Sequence, residues 1–278
     1  MPVTPGADRF NLEAADAYCR FLTGRHYENF SVASSFVDAE KRRDLARIYA
    51  FCRSTDDLGD ESPDEPTALA RLARWRDETA AMLQGVVPNH PVLLALRQTI
   101  EARAMPAEPF LDLIEANVLD QTVKSYATWD DLIDYCRLSA APVGRMVLGV
   151  FGLSGPGPEK LSDDVCIGLQ LANHAQDVSR DAAAGRRYLV DSDVAAAGTD
   201  GAVRTMVQRA RVLLESGKSL EKHAPIALRL QLALYRLGGL AICRSIEAVG
   251  YKTESRRPHV SAATKVSLVV RAALEGLA

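Results

Sequence analysis

The chain reads as an all-α bundle. Three observations point there. Apolar residues recur at three- and four-residue intervals along most of the length, alternating β-branched strands are almost absent, and Gly and Pro fall between the periodic segments. With 278 residues the chain can bury a substantial core without disulfide or metal staples. No linker, low-complexity tract or charge block divides residues 1–278, so a single domain is expected.

The elements follow in order. Leu12–Leu22 reads as a short helix stopped by Gly24, and Ala39–Glu61 as a long one closed by "SPDEP". "TALARLARWRDETAAMLQG" forms the next helix, ended by Gly85 and Pro88. The periodicity predicts further helices over 91–104, 107–125, 129–152, 158–184, 202–222, 225–249 and 259–276. The least helical stretch, Gly185–Gly201, is expected to be a loop near the middle of the fold. The amphipathic tail "VSLVVRAALEGLA" reads as the last bundle helix.

Composition narrows the function classes. Apolar residues make up 47% and charged residues 25%, the balance of a soluble globular protein. A net charge of −3 gives no general pull toward nucleic acid or an anionic membrane. The five cysteines are odd in number and scattered, without CxxC or Cys/His pairing, which argues against a disulfide framework or a zinc site. A reducing cytoplasm is the expected compartment. "MPVTPGADRF" lacks a basic region followed by an apolar stretch, so no signal peptide is expected. No window reaches the roughly 18 uncharged apolar residues of a membrane span; Val143–Leu153 comes nearest and contains Arg145.

Two acidic segments carry the chemistry. In "RSTDDLGDE" (Arg53–Glu61), Asp56 and Asp60 are spaced i, i+4 with Asp57 beside them. In "NHAQDVSRD" (Asn173–Asp181), Asn173, Asp177 and Asp181 repeat that spacing, roughly 120 residues later. On a helix such residues share one face, where exposed like charges repel by about 0.2–0.5 kcal/mol per pair. Buried without partners they would cost far more. One reading is two solvated helix faces. The other is two columns of oxygen ligands for a hard cation, Mg²⁺ above all, which completes its shell with water and substrate phosphate. The apolar surroundings of both segments favour the second. Arg53, Arg186 and Arg187 lie close by in sequence and suit a phosphate. Phe30, Tyr49, Phe51, Tyr135 and Phe151 are candidates for an aromatic wall, each with plain core packing as its alternative.

"YAFCRSTDDLGDE" and "QLANHAQDVSRDAAAGRRYL" together resemble the two aspartate-rich motifs of the squalene/phytoene synthase family. The resemblance runs from about Tyr18 to about Arg257. It implies one class I isoprenoid synthase-type helical bundle around a central cavity, a cluster of two to three Mg²⁺ ions and an isoprenoid diphosphate substrate. It further implies metal ligation by Asp56, Asp57, Asp60, Asn173, Asp177 and Asp181. Catalytic roles fall to Arg53, Tyr49, Tyr135 and Tyr188. Substrate binding falls to His26, Tyr27, Asn29, Phe30, Gln170, Arg186, Arg187 and Tyr251. "HYENFSVAS" and "YCRLSAAPVGR" resemble the hydroxysqualene synthase branch of bacterial hopanoid pathways, which adds water to the cation from presqualene diphosphate. Three positions depart from the pattern: Ala141, the His174–Ala175 pair where an aromatic is usual, and Val190 in place of a proline. The alternatives are a head-to-head synthase joining two farnesyl or geranylgeranyl diphosphates, or an inactive scaffold. The water-holding residue stays open among His26, Tyr27 and Asn29. A lipophilic product leaves room for peripheral contact with the inner membrane.

Overall fold

Thirteen α-helices and no strand make up the described residues, 11–25 and 37–277, of the computed structural model. The first four are α1 (Leu12–Arg25), α2 (Ala39–Asp60), α3 (Glu65–Leu83) and α4 (Pro91–Arg103). Then come α5 (Glu108–Thr122), α6 (Trp129–Ser139), α7 (Ala141–Val150), α8 (Pro156–Gln176) and α9 (Val178–Ala183). The last are α10 (Asp191–Ser216), α11 (Lys218–His223), α12 (Ile226–Ala248) and α13 (Ala262–Leu277). Helix starts follow local chemistry. Asp38 and Asp64 accept from the backbone N–H groups of Lys41 and Thr67, and Thr128 with Asp131 forms a capping box.

Two helices organise the bundle. α2 packs against α1, α3, α4, α5 and α7, and α8 packs against α6, α7, α10 and α12. The core around α2 is aromatic: Phe51 stacks on Trp75 at 5.8 Å and meets Phe110 edge-on at 5.6 Å. Trp75 Nε1 donates to Thr55 Oγ1 at 2.9 Å, which satisfies the buried indole. The core around α8 is built from Leu171, Met206, Val207 and Leu214 among others. α7 joins the halves. Arg145 grips Asp163 of α8 through two bonds of 3.0 and 2.6 Å. A Cβ on Gly144 would lie 2.4 Å from Ser162 Oγ and 2.6 Å from Cys166 Sγ, so any side chain there would force both to shift.

Several sequence expectations change, and the predicted helices 158–184 and 202–222 are each split in two, at Asp177 and at Gly217. The predicted helix 129–152 is broken at Ala140, because Pro142 lacks an N–H and its ring clashes with the carbonyl four residues earlier. The predicted loop Gly185–Gly201 is mostly helix, since α10 starts at Asp191. Its alanine-rich opening favours helix, and only Gly198 kinks it, at φ 69°. The apolar stretch nearest to a membrane span is α12, not 143–153: it has 23 residues and a mean hydropathy of 1.4. More than half of that stretch is buried within the fold, against α8, α10, α11 and α13, as in a core helix.

Candidate active site

The first acidic face occupies the C-terminal turns of α2. Arg53 Nη2 lies 2.5 Å from Asp57 Oδ1 and 3.6 Å from Glu61 Oε1, so the helix carries its own counter-charge. Asn117 of α5 donates to Asp56 Oδ1 at 3.3 Å. Gly59 lets α5 come this close, since a Cβ there would sit 2.9 Å from Gln121 Nε2 and 3.4 Å from Asn117 Oδ1. Burial pushes the Asp56 carboxyl up to about 6, and the neighbouring Asp60 adds to it. Burial also raises Tyr49, which stands near Arg53, Asp56 and Asp57.

The second face spans a break. α8 ends at Gln176 and α9 begins at Val178, with Asp177 between them at φ −99°, ψ 14°. The amide of Asp177 still bonds the Asn173 carbonyl, and that of Asp181 the Asp177 carbonyl, both at 2.9 Å. The column of three therefore survives the break. Arg257, from the segment before α13, donates to both oxygens of Asp177, at 3.3 Å to Oδ2. It also donates to Gln176 Oε1 at 3.3 Å. Burial, then repulsion from Asp177, pushes the Asp181 carboxyl up to about 6.

One arginine joins the faces. Gly185 turns the chain at φ 72° after α9, and Arg186 then places Nη1 and Nη2 3.5 Å from Asp60 Oδ1. A carboxylate on α2 and the loop after the second column thus share one mouth. A cavity of about 350 Å³ lies beside Arg186, lined by Asp181, Lys124, Arg187, Tyr188 and His174 among others; of the two columns it includes Asp181 alone. A larger cavity of about 640 Å³ lies behind α2, on Ser54 and Leu58, and includes no residue of either column.

A tyrosine layer backs the mouth. Tyr135 and Tyr188 both donate to Asp120, at 2.9 Å each, and their rings stack at 5.6 Å. Burial raises Asp120 and both phenols. Tyr126 stacks on Tyr188 at 5.9 Å. His174 lies flat on Tyr188 at 3.7 Å, and burial lowers its imidazole to about 3. Its Nε2 has no hydrogen-bond partner among the described residues.

The predicted residues divide accordingly. Arg53, Tyr49, Asp56, Asp57 and Asp60 gather at the end of α2, and Asp181, Arg186, Tyr135 and Tyr188 lie around Asp120, with Arg186 reaching Asp60; Asp177 neighbours Asp181, and Asn173 is exposed on α8 one turn before Asp177. Gln170 sits half-buried on α8, two turns before Asp177. Arg187 pairs with Asp191 at 2.5 Å and lines the same cavity as Asp181 and Arg186. Tyr251 adopts φ 65° under the guanidinium of Arg204, 4.9 Å from its ring. His26, Tyr27, Asn29 and Phe30 lie outside the described residues. Phe51 is not a cavity wall: it is fully buried in the aromatic core around α2. Phe151 packs between two apolar clusters at the end of α7. Sequence reasoning missed Asn117, Asp120 and Arg257. The first two stand i and i+3 on α5, but that helix carries other polar residues too, so the spacing alone did not single them out. For Arg257 there was no signal, because nothing local links a loop arginine to a helix 80 residues earlier.

The donor set suits Mg²⁺. It consists of oxygen atoms, and the two carboxyls pushed up to about 6 are crowded acids that a cation relieves. Among the described residues no group of three or more His, Cys, Asp or Glu side chains is gathered closely enough to hold a metal ion by itself.

Comparison with known proteins decides the family. The squalene/phytoene synthase family model matches residues 23–264. The chain belongs to the squalene/phytoene synthase family. Among curated members, hydroxysqualene synthase of Sinorhizobium fredii is 35% identical over 211 residues, 69% of this chain and 70% of that one. The same enzyme of Rhodopseudomonas palustris is 39% identical over 168 residues, 60% and 56% of the two chains. The alignment thus spans little more than half of the second relative. Squalene synthase HpnC from Alicyclobacillus acidocaldarius superposes with a TM-score of 0.81 at 43% identity, over 86% of this chain and 95% of that one. A dehydrosqualene synthase solved with a ligand reaches a TM-score of 0.85 at 23% identity and shares the fold. The chain is thus an all-α isoprenoid synthase and a squalene/phytoene synthase-type enzyme.

Proposed function

We propose that this protein converts presqualene diphosphate to hydroxysqualene, with release of diphosphate and capture of water by the resulting cation. The observation that supports the reading is the contact of Arg186 with Asp60, which brings the loop after α9 to the first motif. Identities of 35% and 39% to hydroxysqualene synthases support the product class.

Asp56, Asp57 and Asp60 on one side, and Asn173, Asp177 and Asp181 on the other, would hold Mg²⁺. When bound, Mg²⁺ neutralises the diphosphate and makes it a leaving group. Arg53 and Arg186 face the same charge and orient it through paired donors. Tyr49 would turn a ring face to the carbocation, which stabilises it without attacking it, and the stacked rings of Tyr135 and Tyr188 would back that wall. Asp120 fixes two of those rings by their hydroxyls. The apolar clusters behind the layer keep bulk water from the cation. We read the enzyme as cytoplasmic and as one domain, with no nucleic-acid partner.

A second reading is head-to-head condensation of two prenyl diphosphates. It is favoured by 29% identity, over 207 residues, to the 15-cis-phytoene synthase of Synechococcus elongatus. Incubation with presqualene diphosphate and Mg²⁺ in ¹⁸O-water separates the two. The proposal expects an alcohol carrying the heavy isotope. Unlabelled alcohol, or conversion of farnesyl or geranylgeranyl diphosphate alone, would move the assignment to the second reading.

A further inference from the structure

We infer that Arg257 is a tethered counter-ion: it occupies Asp177 in the metal-free protein and passes to the substrate diphosphate when Mg²⁺ arrives. The inference rests on the reading of Asp177 as a metal ligand. Three observations carry it.

Asp177 is the acid at the break between α8 and α9, and both its oxygens accept from Arg257. A cation binding Asp177 must compete with that guanidinium for the same lone pairs. Next, the segment behind Arg257 is anchored independently. Gln176 Nε2 donates to the Pro258 carbonyl at 2.8 Å, and Pro258 is buried. The guanidinium can therefore leave while its backbone stays at the mouth. Last, the fork that grips a carboxylate also fits phosphate oxygens, so the released side chain has a matching acceptor beside its old one. Among the described residues, half-exposed Arg257 meets only His259 Nδ1, at 3.4 Å, beyond Gln176 and Asp177.

Two consequences follow. Mg²⁺ alone binds weakly, because it must displace the arginine. Mg²⁺ and diphosphate bind cooperatively, because the diphosphate gives the displaced arginine a partner.

The test is calorimetric titration of the full chain with Mg²⁺, with and without inorganic diphosphate, at fixed ionic strength. Arg257→Gln is expected to tighten Mg²⁺ binding without diphosphate by about five- to tenfold, the weight of one partly exposed bidentate pair. It also reduces the gain that diphosphate brings. Arg257→Lys restores part of that gain. Arg256→Gln removes an exposed neighbouring charge and stays within about twofold of wild type. If Arg257→Gln shifts Mg²⁺ affinity no more than Arg256→Gln does, the inference is overturned while the metal reading stands. If the wild type binds no Mg²⁺ even with diphosphate, the metal reading falls and takes the inference with it.

Discussion

The two acidic faces solve the same electrostatic problem in different ways. The first lies on an unbroken helix and draws its counter-charge from Arg53, one turn away on that helix. The second lies across a helix break and draws its counter-charge from Arg257, 80 residues further along the chain. Either guanidinium can leave its acid by a change of rotamer, but Arg53 stays within one helical turn of Asp57, whereas the approach of Arg257 to Asp177 also depends on how the segment before α13 packs on α8. The difference teaches that the first face carries a counter-ion on its own helix, whereas the second depends on tertiary packing for its counter-ion.

The largest expected effect tests whether the faces are equal in use. Asp60→Asn and Asp177→Asn should each lower kcat by about a thousandfold, because a lost metal contact worth several kcal/mol costs tenfold per about 1.4 kcal/mol. Steady-state kinetics with saturating Mg²⁺ reads this. Neither change should move Tm by more than a few degrees, since each also removes like-charge repulsion. A sharp fall in Tm with surviving activity would make the acids structural. Smaller is Asp120→Asn, which keeps the shape but weakens both phenol hydrogen bonds. It should reduce kcat by roughly tenfold to a hundredfold, on the scale of about 1.5–3 kcal/mol for hydrogen bonds to a charged group.

Much of this site was legible in the sequence, and the rest was hidden for a physical reason. The i, i+4 spacing of Asp56 and Asp60 put them on one face without any knowledge of the fold, because helix geometry alone relates them. Asn173, Asp177 and Asp181 were legible in the same way, although the break at Asp177 was not. That break needs the tertiary contacts of Arg257 and Gln176 to explain it. Asp120 gathers hydroxyls from α6 and from the loop before α10, so its role exists only once those elements pack. Phe51 shows the converse failure. Its closeness in sequence to the acids suggested the cavity, but it sits on the side of α2 that packs against α3 and α5.

The pH dependence sharpens the comparison, because both faces contain an acid pushed up to about 6. A carboxyl with a raised folded-state value destabilises the fold above its unfolded value near 3.9. The folded state then binds more protons than the unfolded state between about pH 4 and pH 6, so stability rises as pH falls through that window. Thermal melts of metal-free protein should therefore show a higher Tm near pH 5 than near pH 7. Asp56→Asn and Asp181→Asn should each flatten that slope, and a slope retained by the double variant would point to other groups. The smallest effect concerns the layer behind the mouth. His174→Phe removes a buried ring nitrogen that lacks a partner and keeps the stack on Tyr188. It should raise Tm by a few degrees, since an unsatisfied buried polar group costs about 1–3 kcal/mol.

The claim that the two faces form one diphosphate site is tested most directly by a crystal structure with Mn²⁺ and inorganic diphosphate. Anomalous scattering then locates the metals. The account predicts metal against Asp56 or Asp60 and against Asn173, Asp177 and Asp181, with one diphosphate between them and Arg257 turned from Asp177 onto its oxygens. Metal and diphosphate confined to one face, with the other column bare and facing solvent, would contradict it.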